Sequence, residues 1–390
     1  MHLLMIGLDS KMLVGEHGST IRRHQAYADR IGRLSIITYN PPQPRRDVRR
    51  VSENFTVYPT NTRRALFPWA AYRVAARLMR SDDPPEVIST QDPFSTALVG
   101  WLLKKRYGVA LNIQAHSHFF ENPHWLAEHP IRNRAFYALA KFLVPRANTC
   151  RVPYESEKQL YIRIGVSPER IYILPVPIRL EQFAAPQAPE RLAALRAKLH
   201  IPHEAPLLLW VGEPTPPKNI DLLLAAFELV RQARPDAYLV LVGNWQQRPD
   251  LPQHAKQIGH VVLPGVVPHT DLTAYYQMAD LYVHTSRYEG AVRVFREALA
   301  AGTPVVSTDQ PGARAIVLDG ESGLITPHTP EAFAEAVLNL LDDPQRLHAM
   351  GQAGRRDVLR RFDYELLMAR WERMYRDTLC WGREGKPCAG

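Results

Sequence analysis

Glu289 and Glu297 stand eight positions apart in Tyr288-Glu289-Gly290-Ala291-Val292-Arg293-Val294-Phe295-Arg296-Glu297. An ionised carboxylate only accepts hydrogen bonds, so a pair of them suits hydroxyls and repels phosphate. Upstream, Leu281-Tyr282-Val283-His284 has strand composition. Downstream, Val294 to Ala301 has a helical pattern that Gly302 closes, and Thr303-Pro304 leads into another strand. Glu289 is therefore expected at a strand end and Glu297 in the first turns of the next helix. The loop between them would aim free backbone N–H groups past a helix N-terminus, where phosphate is favoured. In an open α/β sheet that place is the crevice outside the carboxyl ends of the strands. Two carboxylates beside an anion seat suit a ligand that is phosphate at one end and hydroxyl-rich at the other, as a nucleotide-sugar is. The plainer alternative is a turn cap at Glu289 and a favourable helix-dipole charge at Glu297.

Three further places carry the same chemistry. Gly212-Glu213-Pro214-Thr215-Pro216-Pro217-Lys218-Asn219-Ile220 follows a strand pattern and opens a helix, so the Lys218 ammonium and the helix dipole would add at one anion site. The apolar strand Val109 to Gln114 ends in Ala115-His116-Ser117-His118, which offers two candidate histidines. Gly15 and Gly18 lie in the loop Gly15-Glu16-His17-Gly18-Ser19-Thr20, between a strand and a helix, where glycine permits close backbone approach to a phosphate.

The elements that must position these residues alternate. His2 to Gly7 is a strand, Ile21 to Ile31 a helix and Leu34 to Tyr39 a strand; this βαβ opening argues a parallel sheet. Pro41 to Val51 reads as a basic, proline-rich loop. Leu66 to Met79 reads as an amphipathic helix, with Phe67, Trp69, Tyr72, Val74 and Leu78 against Arg73, Arg77 and Arg80. Strands at Val87–Thr90 and Arg170–Leu174, and helical patterns at 95–105, 132–143 and 155–164, extend the half. Leu174-Pro175-Val176-Pro177-Ile178 is a proline-studded boundary. A second α/β half begins at Leu207-Leu208-Leu209-Trp210-Val211-Gly212 and repeats the alternation. Tyr364 to Asp377 reads as a last long helix, and 380–390 as a disordered tail.

With 390 residues the chain exceeds one core, at ~150 residues per domain. Its charge is uneven. Residues 1–180 hold 26 Lys and Arg against 14 Asp and Glu, a net of +12, and the remaining 22 against 25 leave −3. A basic half attracts anionic lipid surfaces, lipid phosphates, acidic polymers or nucleic acid, unless it is only a solvated arginine-rich surface. Nucleic acid is set aside because no recognition motif accompanies the charge. Cys150, Cys380 and Cys388 show no metal-ligand spacing, so a reducing compartment is expected. His2 to Leu8 is short and lacks a basic flank, so no signal peptide is expected. No run of about 18 apolar residues reads as a membrane span.

The Glu289–Glu297 motif, with Gly302-Thr303-Pro304-Val305-Val306 after it, resembles the donor motif of family 4 retaining glycosyltransferases of the GT-B fold. The likeness covers nearly the whole chain. It implies two Rossmann-like parallel-sheet α/β domains facing a cleft: 1–178 on the acceptor side, 179–362 on the donor side, and 363–390 as a helix returning to the first domain plus a tail. It implies transfer of a hexosyl group from a UDP- or GDP-sugar to an acceptor hydroxyl, in glycan, glycolipid or cell-envelope polysaccharide synthesis. By resemblance His116, preferred over His118, and Glu289 are the catalytic pair, with Glu289 on sugar hydroxyls. Donor binding falls to Gly15, Gly18, Lys218, Val266, Gly290, Ala291, Val292, Arg293 and Glu297, with Glu297 on the ribose. The departing phosphate acts as base.

Departures accompany the match. Glu213 stands where the family usually has an arginine, Ala315 where a glutamate is common, and Gly290-Ala291-Val292-Arg293 replaces a glycine-richer loop. No Asp-x-Asp is present, so neither metal nor other cofactor is expected. The expected partners are the nucleotide-sugar, a glycan or lipid-linked acceptor and an anionic membrane surface. The expected location is the cytoplasm, with peripheral contact at the inner membrane face. A nucleotide-sugar epimerase, a phosphorylase or a non-catalytic scaffold on the same fold stays open at this level, because fold does not fix function.

Overall fold

Most of the apolar strand patterns become buried parallel strands. The computed structural model describes residues 1–13, 19–290 and 292–388. The expected ligand residues Gly15, Gly18 and Ala291 lie outside them. The chain forms two units, Met1–Pro177 with Glu365–Gly390, and Ile178–Tyr364.

The first unit is built on eight strands: β1 (His2–Gly7), β2 (Arg33–Thr38), β3 (Arg49–Arg50), β4 (Phe55–Pro59), β5 (Val87–Thr90), β6 (Ala110–Gln114), β7 (Thr149–Val152) and β8 (Ile171–Ile173). Their order is β3-β4-β2-β1-β5-β6-β7-β8, and only β3 runs antiparallel to its neighbour. β1 is buried along its whole length, as a strand covered on both faces must be. The order reverses between β1 and β5. The short β3 falls inside the stretch read as loop, which corrects that reading, and β4 follows it; β4 alternates buried and half-buried residues.

The amphipathic helix is Phe67–Leu78, but its buried face is Phe67 with Ala70, Ala71, Ala75 and Ala76. Alanines let it pack closely on helix Ser95–Tyr107, and Trp69 is left 58% exposed.

The last helix runs Tyr364–Arg383, six residues beyond the expected end. Within the first unit Trp371 stacks on Tyr27 with centroids 5.4 Å apart, and Gln114 Nε2 donates to Tyr375 OH at 3.0 Å. The expected tail is ordered through Cys388. Gly382 packs where a Cβ would meet Ala110 Cβ at 2.7 Å, and Cys388 N donates to Asp377 Oδ1 at 3.2 Å. Cys380 and Cys388 form a disulfide, which corrects the expectation of three reduced thiols; Cys150 is free and buried. The sequence could not show that a helix end would fold back to bring the pair together. Among the described residues no helix is long and apolar enough to cross a membrane.

The second unit has six parallel strands: β9 (Leu207–Val211), β10 (Tyr238–Val242), β11 (Val261–Gly265), β12 (Leu281–His284), β13 (Val305–Thr308) and β14 (Gly323–Thr326), in the order β11-β10-β9-β12-β13-β14. From β9 the chain builds outward one way through β10 and β11, then restarts at β12 on the other side. The reversal between β9 and β12 is the place where open α/β sheets take ligands.

Candidate functional site

Two loops meet at that reversal. The loop after β9 runs into the 3₁₀ turn Pro216–Lys218, and Asn219 follows at φ 49°, a left-handed conformation that asparagine tolerates better than most residues. Asn219 then starts helix Ile220–Ala233. The loop after β12 clamps this turn. Thr285 Oγ1 donates to the carbonyls of Lys218 at 3.2 Å and Asn219 at 3.0 Å, and Arg287 N donates to Pro217 O at 2.8 Å.

The clamp sets Lys218 against Glu289. The ammonium donates directly to Glu289 Oε1, which also accepts from Ser286 Oγ at 2.8 Å and from His284 Nε2 at 3.2 Å. His284 is fully buried at the end of β12. Burial keeps its imidazole below the ordinary pKa, against the pull of Glu289. Burial alone would raise the Glu289 carboxyl, but the Lys218 charge with the His284 and Lys218 hydrogen bonds outweighs it and holds the group at about 2.

Glu297 sits on helix Arg293–Ala301, as expected, and is 3% exposed. Tyr276 OH donates to its Oε2 at 3.0 Å. Its Oε1 has two longer contacts, His269 Nε2 and Arg293 Nη2, each at 3.4 Å. Burial pushes this carboxyl up, yet His269, Arg293 and Tyr276 together bring it below the ordinary value. Arg293 opens the helix and is more than a third exposed.

Gly290 and Val292 are buried at the foot of this helix. Gly312 supports them: a Cβ there would lie 2.8 Å from both Gly290 O and Val292 Cγ2. The glycines ending β9, β10 and β11 line up similarly, with Gly212 N donating to Val242 O and Gly243 N to Gly265 O, both at 3.0 Å. A Cβ on Gly243 would sit 2.0 Å from Gly212 O. Val266 follows and is 74% exposed. Glu213 is exposed beyond β9.

The structure therefore brings Lys218, Glu289, Gly290, Val292, Arg293 and Glu297 to the carboxyl edge of one sheet. Sequence reasoning missed the residues that hold them: His284, Ser286, Thr285, His269 and Tyr276. The one available signal was His284, a polar residue ending an apolar strand.

In the first unit His116 follows β6. Its Nε2 lies 3.0 Å from Gln91 Oε1 and its Nδ1 3.2 Å from Arg151 Nη1. Burial, then the Arg151 charge, keeps its pKa well below the ordinary value. His118, the competitor, instead pairs through Nδ1 with Glu157, which is fully buried on helix Glu155–Arg163. Its partner is structural in kind: an internal carboxylate whose pKa burial has raised. Among the described residues no cluster of His, Cys, Asp or Glu could hold a metal ion.

Two family patterns match this chain: "Glycosyl transferase 4-like domain" over residues 24–177 and "Glycosyl transferases group 1" over 193–357. It is 31% identical to a D-inositol 3-phosphate glycosyltransferase of Thermobispora bispora, over 72% of this chain and 68% of that one. It is 32% identical to a GDP-mannose-dependent alpha-(1-6)-phosphatidylinositol monomannoside mannosyltransferase of Mycolicibacterium smegmatis, over 50% of this chain and 54% of that one. The matched stretch thus spans from about half to just over two thirds of these relatives. Among solved structures, sucrose-phosphate synthase from Thermosynechococcus elongatus superposes with a TM-score of 0.80 at 22% identity, covering 96% of this chain and 98% of that one. Anabaena HepE in complex with UDP gives 0.74 at 18%, covering 95% and 98%. Identities this low carry the fold alone.

Proposed function

The chain belongs to the retaining family 4 glycosyltransferases of the GT-B fold, and we propose that it moves a hexosyl group from a nucleoside diphosphate sugar to a hydroxyl of an anionic, inositol- or lipid-linked acceptor. Family membership selects transfer over the epimerase, phosphorylase and scaffold readings. The observation that carries the site assignment is the Lys218–Glu289 pair at the β9/β12 reversal, beside the N-terminus of helix Arg293–Ala301.

The diphosphate takes the Lys218 ammonium and the backbone N–H groups at Gly290, Val292 and Arg293, with the Arg293 guanidinium nearby. Glu289, released from Lys218 as phosphate arrives, accepts from the sugar hydroxyls. The ribose takes Glu297 Oε1, whose present contacts at 3.4 Å are long enough to yield to a hydroxyl. Hydrogen bonds to a charged acceptor contribute about 1.5–3 kcal/mol each. His116 is the candidate donor of a hydrogen bond to the transferring sugar. The leaving diphosphate takes the acceptor proton, so the protein supplies position and electrostatics.

The acceptor reading rests on charge. Residues 1–180 carry the net +12, and two relatives are named for acceptors that bear phosphate on inositol. Helices Phe67–Leu78, Ser95–Tyr107 and Pro130–Leu143 pack in series and contain eight Lys and Arg but no Asp or Glu. They expose Trp69, Leu102, Ile131 and Phe142, and a groove of about 580 Å³ opens between the first two, lined by Trp69, Tyr72, Leu98, Leu102 and Lys105. Apolar anchors among cations suit the surface of an anionic membrane.

A panel of UDP- and GDP-sugars in thermal-shift and donor-hydrolysis assays tests the donor reading. One of them raises the melting temperature and is turned over. If none does either, the site assignment falls.

A further inference from the structure

Arg151 is a fully buried arginine on β7, beside the edge strand β8, and no carboxylate among the described residues pairs with it. Its Nε donates to Leu174 O, its Nη1 donates to Ala115 O at 2.7 Å, and its guanidinium lies over the Trp371 ring at 5.2 Å. A buried cation met only by neutral groups is costly to keep. Burial draws its pKa down to about 10, which still leaves it charged at neutral pH.

Its other contact is specific. Nη1 lies 3.2 Å from His116 Nδ1. A guanidinium has donors and no acceptor, so Nδ1 must offer its lone pair. The imidazole proton then sits on Nε2, which donates to Gln91 Oε1 at 3.0 Å. Gln91 leaves β5 beside the end of β1, where the strand order of the first unit reverses. Gly7 makes room for it, since a Cβ there would lie 3.1 Å from Gln91 Cγ. Gln91 Nε2 is buried and pairs with nothing among the described residues, so the amide keeps a donor for an oxygen-rich ligand.

We propose that Arg151 is a positioning residue: it fixes the single ring proton of His116 on Nε2, where Gln91 Oε1 holds it until a sugar hydroxyl takes that place, so that His116 serves glycosyl transfer as a neutral hydrogen-bond donor and neither as a base nor as a cation. The idea rests on the reading that His116 meets the transferring sugar. The charged and titratable groups that bear on this imidazole are Arg151 from β7 and Arg23 and His24 from helix Ser19–Ile31. The two arginines repel a second positive charge. His24 is itself held neutral by burial, at about 3. A neutral donor polarises a sugar hydroxyl without adding charge beside the positive anomeric carbon of the transition state.

Ring-nitrogen NMR of the ¹⁵N-histidine-labelled full chain, without donor, tests the lock. The expected wild-type signature is a proton on Nε2 and no titration of His116 between about pH 5 and about pH 8. Arg151→Lys keeps a charged donor and preserves this behaviour. Arg151→Met removes both, so Nδ1 loses its donor, the ring proton spreads to Nδ1 as well as Nε2, and kcat falls about tenfold, with KM for the donor changing less. A wild-type proton on Nδ1, a wild-type imidazolium at neutral pH, or a folded Arg151→Met that keeps its ring proton on Nε2 alone would overturn the inference. Should Arg151→Met not fold, the wild-type signature and Arg151→Lys decide it. Adding the donor separates the two readings: an Nε2-protonated ring whose signals ignore a bound donor retires the role at the sugar while leaving the tautomer assignment standing.

Discussion

Lys218 and Glu289 come from loops 71 positions apart in sequence, and they form an ion pair at the one place where the second sheet reverses its strand order. The sequence assigned them opposite ends of a donor, the ammonium to phosphate and the carboxylate to sugar. The structure shows each holding the other; on the donor reading proposed above, a bound diphosphate would compete for the lysine and free the carboxylate. That exchange couples phosphate binding to readiness for the sugar.

Removing either partner therefore harms turnover. Lys218→Ala and Glu289→Ala should each lower kcat/KM by about tenfold or more, about 1.4 kcal/mol of transition-state stabilisation. Lys218→Ala should also lower the melting temperature more than Glu289→Ala. It leaves a carboxylate only 16% exposed without its cation, whereas the lysine can turn to water. Normal rates in both variants would reject the assigned site.

The same pair sets an acid limit. Glu289 has a folded pKa of about 2 against an ordinary 4.5. Its stabilising contribution is fully present above the ordinary value and is lost as pH falls from there through about 2. Thermal melts across that window should show the wild type losing more stability than Glu289→Gln, whose amide does not titrate. Parallel curves for the two proteins would remove the ion pair from the account of acid sensitivity.

Glu297 should affect binding more than chemistry. Glu297→Gln should raise KM for the donor about tenfold, consistent with roughly 1.5 kcal/mol lost from a charged hydrogen bond, with kcat less changed. Tyr276→Phe removes only the 3.0 Å bond to Oε2 and should have a smaller effect of the same kind. Initial rates at varied donor concentration measure both. A fall confined to kcat would move Glu297 to another role.

Liposome flotation tests the acid-free helical face. The wild type should float with anionic vesicles and not with neutral ones, and added salt should weaken the interaction. Trp69→Ser should reduce flotation while sparing hydrolysis of a soluble donor, since the indole is 58% exposed. Equal flotation with neutral vesicles, or none with anionic ones, would end the membrane reading.

Reduction should loosen the chain's end. The Cys380–Cys388 bridge spans 8 positions, and closing so short a loop stabilises by about 2.5 kcal/mol in the chain-entropy picture. Intact-mass analysis with and without reductant should reveal the bond, and reductant should lower the melting temperature modestly with activity retained. An unchanged mass on reduction would remove the bridge.

Much of the fold was open to direct reading. The strands at His2–Gly7, Leu207–Val211 and Leu281–His284 are apolar runs buried on both sides, and such runs leave little choice of structure. The Glu289–Glu297 spacing was equally legible, because only a short loop and the first turn of one helix separate the pair. What failed was less local. β4 hid beside a proline-rich segment. The buried side of helix Phe67–Leu78 proved to be its alanines, since packing on a neighbouring helix rewards small residues that a hydrophobicity pattern overlooks. The tail was read as disordered because neither its bridge nor its seat on Ala110 is written in adjacent residues.

The chain by itself determined its residue types, their periodicity and the spacing of the two glutamates, and these sufficed for the α/β class and the nucleotide-sugar chemistry. Only the tertiary structure decided which charges meet. Lys218 finds Glu289, Arg151 finds His116, and Tyr276 finds Glu297 across separate strands and helices. Protonation depends on such neighbours and on burial, and both arise from contacts between segments distant in sequence, which no local pattern records.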